Sequence, residues 1–208
     1  EGSLLLDCEA DAAEDLVRRL SLYRLRRKIA IARERALAVH WQAHPGDGGA
    51  ADPRLAALGQ RWIAPVRADE ESADAAWRAH RLSLGVAEGR AELGDILWLE
   101  TNAAELHGVS FDKGCYVGQE VVSRMKHRGT ARRRPVIVSG IEAPAGTPVI
   151  TGTREAGTIG QVVDGKAVAI LRLDRIADPA AVTVDGKPVT VVLPIWATYQ
   201  FGETAPEE

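Results

Sequence analysis

The chain has 208 residues, 46% of them apolar and 26% charged, and a net charge of −3. This is the composition of a folded globular protein with room for one large domain or two smaller ones, and it excludes a disordered chain. No global field draws it toward nucleic acid or an anionic membrane; no run approaches the roughly 18 consecutive apolar residues that span a bilayer, and the N-terminus lacks the basic-then-apolar order of a signal peptide.

Leu4-Leu5-Leu6 reads as a short strand ending at Asp7-Cys8. A strand placed there needs partners, and Met125 is the single methionine, so the chain is expected to be a piece of a longer one. Asp11 and Glu14 have the spacing of a capping box. They introduce a helix whose Leu16, Leu20 and Tyr23 share a face, with Arg18, Arg19, Arg26 and Arg27 on others. Ile29 and Ile31, then Leu37, Val39 and Trp41, alternate as two strands would, suggesting a hairpin. His44 to Pro53 is a loop rich in glycine and aspartate. Trp62-Ile63 suggests another short strand. Ser72-Ala73-Asp74 starts a helix that places Trp77, Arg81 and Leu84 on one face and stops at Gly85. A tryptophan at that spacing fits a core, and equally a pocket edge where its ring stacks on a planar heterocycle.

Residues 86–112 have little regular period. Glu100 follows Leu97-Trp98-Leu99 and reads as a carboxylate projecting from a buried strand, with a surface cap or ion pair as the alternative; His107 reads as structural. Then comes Lys113-Gly114-Cys115-Tyr116-Val117-Gly118-Gln119-Glu120, which sets one thiol between two glycines. Glycine tolerates positive φ, so Gly114 and Gly118 read as a tight loop presenting Cys115 and Tyr116. Gln119 to His127 reads as a helix with Val121, Val122 and Met125 as its buried stripe. A thiol ahead of a helix N-terminus and next to Lys113 is favoured as a thiolate. A buried, inert cysteine in a glycine-rich turn fits the same residues.

Two cysteines, Cys8 and Cys115, suggest no disulfide framework. They are too few for the four thiolates of an iron–sulfur cluster, and no spacing matches a zinc site, so no metal site is assigned. Any metal would be carried by a partner. Arg124, Lys126, Arg128, Arg132, Arg133 and Arg134 form an acid-free basic strip, by default a solvated face. Its use for docking an anion, either a polycarboxylate tail or a nucleic-acid backbone, is the functional alternative. With no aromatic residue interleaved for base stacking, direct nucleic-acid binding is not expected.

Beyond Arg134 the chain becomes short apolar runs: Val136 to Val138, Val149 to Thr151, Ile159 to Val163, Ala167 to Leu173, Val182 to Val184 and Val189 to Val192. Asp164-Gly165 and Asp185-Gly186 carry a strong hairpin signal. These runs read as a small antiparallel barrel or sandwich, with a domain boundary near Pro135 that divides the chain into 1–134 and 135–208. The fold class is α+β.

Taken together, Lys113 to Glu120, the downstream Arg124 and His127-Arg128-Gly129, and the upstream Leu22 to Arg26 and His80 to Val86 resemble the folate-binding YgfZ family. Those proteins are relatives of the T-protein (aminomethyltransferase) of glycine cleavage. The resemblance covers nearly the whole chain. It implies a T-protein-like, tetrahydrofolate-binding domain followed by a small β-barrel, with an N-terminal part of the folate domain lying outside this sequence. It further implies Trp77, Glu100 and Tyr116 as cofactor-binding residues, Glu100 by likeness to a T-protein glutamate that recognises the pterin. Cys115 is implied as the reactive thiol of the motif loop.

The cysteine loop sets this chain apart from aminomethyltransferases and so weighs against glycine cleavage. The implied role is an accessory factor for assembly or maintenance of iron–sulfur enzymes, including tRNA-modifying ones, with tetrahydrofolate or a derivative as cofactor and iron–sulfur client or assembly proteins as partners. The expected compartment is the cytoplasm, or the mitochondrial matrix in a eukaryote. The alternative is a folate-dependent aminomethyl or one-carbon transferase, which needs a positioned acid or base near the folate amine.

Overall fold

A computed structural model describes residues 2–114, 118–128 and 132–202, and all but the side chain of Arg128 among them. The N-terminal half is built from a helix α1 (Ala13–Tyr23), a small sheet and a helix α2 (Asp74–Ser83). In the sheet, β1 (Leu37–Gln42) and β2 (Ala50–Ala51) flank β3 (Gln60–Pro65), all antiparallel. The expected hairpin of Ile29–Ile31 with Leu37–Trp41 does not form: β1 pairs with β3 instead, with Val39 opposite Ile63 and Trp41 opposite Arg61. Alternation identified β1 but not its partner. Leu4 to Leu6 is not a strand either, because no described segment offers it a ladder. The capping box is also absent: α1 begins after Ala12 with no side-chain cap.

Helix α2 ends as its sequence dictates. Gly85 takes φ +75°, the Gly85 N–H donates to Leu82 O and the Val86 N–H to Arg81 O, the paired bonds of a Schellman stop. A one-turn helix α3 (Arg90–Leu93) and a 3-10 turn (Trp98–Thr101) follow. Glu100 therefore sits on a turn rather than a strand, although it is buried as its apolar neighbours suggested. Helix α4 (Glu120–Arg128) lies close to the expected span. Its buried residue is Met125, whereas Val121 points to solvent.

The C-terminal half is one antiparallel sheet of seven strands. They are β4 (Arg133–Ser139), β5 (Pro148–Thr151), β6 (Arg154–Ile159), β7 (Lys166–Arg172), β8 (Val182–Val184), β9 (Lys187–Pro188) and β10 (Thr190–Val192). Their spatial order is β10-β4-β7-β6-β5-β8-β9. The two end strands are separated in sequence by Val189 alone, so the chain itself joins the edges and the sheet is a nearly closed barrel. Val136, Val138, Val149, Leu171, Ile176 and Val182 are fully buried in its core. Both Asp-Gly pairs have positive φ at each residue, as type I′ hairpin turns require.

Strand β6 ends at Ile159, where the apolar run was expected to start a strand. Its Arg154-Glu155-Ala156-Gly157-Thr158 stretch buries only Ala156 before Ile159, too weak an alternation to announce a strand. Strand β7 is apolar on both faces because Val168 packs outward against Leu82 of α2 while its neighbours fill the barrel. Pro135, which has no N–H, lies on β4 beyond the pairing with β10, where that donor is not needed.

Candidate functional site

Residues 37, 39 and 41 of β1 and 61 and 63 of β3 share one sheet face, because the side-chain period of a strand is two. That face is the floor of an open cleft of about 1560 Å³. Leu16, Leu20 and Tyr23 of α1 form one wall, and Trp77, Arg78 and Arg81 of α2 another. Segments 2–11 and 28–34 add to the lining, as do Glu88, Gly89 and Gln161. The opposite sheet face carries His40 stacked on Trp62, with ring centroids 5.6 Å apart.

Trp77 stands in the wall that α2 contributes. Its inner side packs with Leu55, Leu84 and Trp196 on the small core of Leu58, Val86 and Leu106. The indole of Trp41 meets it edge-on at 5.4 Å. The guanidinium of Arg61 lies 5.4 Å, and that of Arg54 5.7 Å, from its ring centroid, within cation–π range. The Trp77 Nε1–H donates to Glu88 Oε1 at 2.9 Å, and Glu88 Oε2 accepts from Arg54 Nη1 at 2.6 Å. Arg54 in turn holds the buried Asp52 through Nε at 3.0 Å and Nη2 at 2.8 Å. A chain of charge-assisted bonds thus runs Asp52, Arg54, Glu88, Trp77 and fixes the indole's rotation.

The electrostatics follow from that chain. Burial alone would push the Glu88 carboxyl upward, but hydrogen bonds from Trp77 and Arg54 and the charges of Arg54 and Arg81 outweigh it and hold Glu88 below its ordinary range. For Asp52, burial likewise acts upward and is overcome by hydrogen bonds and charge from Arg54. Arg54 is desolvated, yet its two carboxylates raise its pKa further, so it stays charged. Behind them, Arg81 and Glu92 form a buried two-bond ion pair at 2.8 and 2.9 Å. Glu92 also accepts the Glu88 N–H at 2.9 Å. The two carboxylates therefore share one framework.

Of the residues named from the sequence, Trp77 lines the cleft, and Cys8 does as well. Glu100 does not line it: its carboxylate accepts the Arg133 N–H of β4 at 3.3 Å. The motif loop is separate too, since none of Lys113, Gly114, Gly118, Gln119 or Glu120 lines the cleft. Gly114 at φ +81° and Gly118 at φ +91° occupy the left-handed region with open space where a Cβ would stand, so backbone conformation rather than close approach calls for glycine there. Lys113 Nζ donates to Gln119 Oε1 at 3.0 Å, tying together the two ends of the loop. Cys115 and Tyr116 lie outside the described residues, as does the side chain of Arg128. Arg124 and Lys126 are exposed, and Lys126 Nζ lies 4.9 Å from the Phe111 ring centroid. Among the described residues no cluster of three His, Cys, Asp or Glu side chains could hold a metal, and no helix is long and apolar enough to cross a membrane.

Sequence reasoning missed Trp41, Arg54, Arg61 and Glu88. Trp41 was assigned to a strand, but its place over Trp77 depends on the pairing of β1 with β3, which local pattern does not carry. Glu88 follows the Gly85 stop, and that adjacency to Trp77's helix was the available signal.

Residues 131–199 match the model of the CAF17 C-terminal β-barrel domain, in agreement with the sheet seen here. Across more of the chain, similarity is to proteins named as the mitochondrial iron–sulfur cluster assembly factor IBA57. The human protein is 32% identical over 86% of this chain and 59% of its own length. The Mus musculus protein is 29% identical over 93% and 64%. A Neurospora crassa homologue is 34% identical over 64% and 37%. The chain thus spans between about a third and two thirds of these curated relatives. The relatives carry the name IBA57, where the motif resemblance pointed to YgfZ.

Proposed function

We propose that this chain is the tetrahydrofolate-binding part of an accessory factor for iron–sulfur protein assembly, acting in the mitochondrial matrix if it is eukaryotic. The assembly role is supported by the relatives' names, and the folate reading by the aromatic cleft around Trp77. One observation carries the latter: an indole locked by Glu88 at the wall of a cleft floored by Trp41, Arg61 and Ile63. Such a site suits a flat, hydrogen-bonding heterocycle with an anionic tail.

The donor set fits that ligand class. Trp77 and Trp41 offer aromatic surface, and Arg61 and Arg78 offer cations for carboxylates. Arg54 is pinned by two carboxylates, Asp52 and Glu88, whereas among the described residues Arg61 pairs with one, Asp7. Arg61 is therefore the group that turns aside to admit a ring against Trp77. Tetrahydrofolate, when bound, supplies nitrogens able to carry a one-carbon unit. Glu88 already accepts two hydrogen bonds and is held ionised, so its part is to orient Trp77 rather than to donate a proton. Cys115 is assigned the working thiol on the strength of its motif alone.

Calorimetric titration of tetrahydrofolate onto the chain and onto Trp77→Ala tests the cofactor. Binding that is lost or weakened at least tenfold in the variant is expected; equal binding, or none to the parent chain, refutes the folate reading. Cys115→Ala is expected to leave that affinity unchanged while iron–sulfur enzyme activity falls in cells lacking the native protein. Full activity in the complemented cells removes the thiol from the mechanism.

A further inference from the structure

Residues around the start of the 3-10 turn and on helix α4 lie outside the lining of the Trp77 cleft. Trp98 is 52% exposed, Leu97 50%, Val121 55% and Phe111 39%, although each is a large apolar group that burial would stabilise by about 1.5–3 kcal/mol. Trp98 and Phe111 both adjoin α4. Trp98 and Val122 line the same shallow pocket of about 240 Å³ with His107 to Ser110. Lys126 lies one helical turn beyond Val122 and reaches over Phe111 at 4.9 Å. Val121 neighbours Val122 on α4, and Leu97 precedes Trp98.

Cations are frequent on the same elements: Arg124, Lys126 and His127 of α4 are exposed, followed by Arg132 and Arg133 at the start of β4. The exposed acids nearby in sequence are Asp95, Asp112 and Glu120, fewer than the basic groups. An exposed tryptophan and phenylalanine beside a helix carrying exposed cations have the make-up of an interface centre with a charged rim.

We propose that the patch of Leu97, Trp98, Phe111 and Val121, rimmed by Arg124 and Lys126, docks an acidic polypeptide segment that inserts an apolar side chain beside Trp98. Charge complementarity selects the acidic partner in a protein whose overall charge is itself −3. Single-stranded nucleic acid is the weaker occupant. Leu97 and Val121 offer no stacking plane, the Phe111 ring is approached by Lys126, and the Trp98 N–H is already donated to Gly108 O at 3.3 Å. Base stacking needs open aromatic faces in series. The surface does not depend on the folate reading.

The test is fluorescence anisotropy on the full chain with a short fluorescein-labelled peptide of alternating glutamate and leucine. A lysine–leucine peptide and a labelled oligouridylate serve as the competing probes. Saturable binding of the acidic peptide is expected, weakened at least tenfold by Lys126→Glu and by Trp98→Ala, and weakened by added salt. Lys126 is exposed and supports no core, so Lys126→Glu reports on docking even if Trp98→Ala unfolds. Absence of acidic-peptide binding, unchanged affinity in Lys126→Glu, or tighter binding of either competing probe overturns the proposal.

Discussion

Removing the Glu88 carboxylate is the sharpest probe of the cleft, because one side chain fixes the indole and shares the Arg54 charge. In Glu88→Ala, the Trp77 Nε1–H and one Arg54 donor lose acceptors at 2.9 and 2.6 Å. Neither donor is fully enclosed, so the loss is about 1–3 kcal/mol, below the figure of about 3–5 kcal/mol for breaking a fully buried pair. Glu88→Gln keeps an amide oxygen for Trp77 but not the charge facing Arg54, and should lose less. Urea unfolding followed by tryptophan fluorescence reads the midpoint shift at constant slope, and calorimetry reads tetrahydrofolate affinity. The expected order in both is parent, then Gln, then Ala.

The pH dependence has a definite sign. Glu88 is held below its ordinary value of 4.5 and Asp52 below 3.8. Their contribution is therefore present above those values and is lost as pH falls through the lower folded pKa values. The parent's stability should fall more steeply than that of Glu88→Gln as pH drops below 4.5. An Ala variant with the parent's midpoint and affinity, or parallel acid limbs for parent and Gln, would refute the network.

Two further substitutions test how the halves are joined. Tyr199→Phe removes the hydroxyl that donates to Pro135 O at 2.8 Å and accepts from the buried Asn102 Nδ2 at 2.7 Å. A loss of about 1–3 kcal/mol in urea unfolding is expected, and an unchanged midpoint would show that those groups find other partners. Gly85→Ala places a Cβ 2.6 Å from Pro194 Cγ at φ +75°. Left-handed backbone costs about 1–2 kcal/mol and overpacking a further 1–3 kcal/mol. Calorimetry should show Tm several degrees lower, and a variant melting with the parent would mean that the C-terminal segment yields freely.

What local sequence carries, it carried well. The Gly85 stop, both Asp-Gly turns and helix α4 depend on residues within a few positions of each other, and all stand where they were read. Long-range pairing is what local pattern lacks. Ile29 to Ile31 alternates as a strand would, yet β1 finds its partner in β3, and Leu4 to Leu6 has no described partner at all. The candidate site divides the same way. Trp77 was visible through its helix spacing and family likeness, but Arg61 and Trp41 reach it only through the β1–β3 register. Glu100 shows the converse limit: an apolar run correctly announced burial, but not that the carboxylate turns to β4 instead of the cleft.

The segment after β10 bears on both surfaces at once. Trp196 donates its indole N–H to Leu84 O at 2.8 Å, closing the end of the helix that carries Trp77. Pro194 packs against Gly85 of the same stop. Two and three residues on from Trp196, Thr198 donates to Glu105 at 3.1 Å and Tyr199 takes the Asn102 amide, fixing the turn that follows Trp98 and Glu100. Arg134 adds to that anchor, with Nη1 donating to Leu99 O at 2.8 Å and its guanidinium 5.0 Å from the Tyr199 ring centroid. The barrel is thus more than an appended module: the segment leaving β10 holds the wall of the cleft at one point and the base of the Trp98 patch at another. A substitution that loosens Tyr199 should weaken peptide docking at Trp98 before it affects the cleft, because Trp196 keeps its own bond to α2. The opposite order would mean that the two contacts yield as one unit.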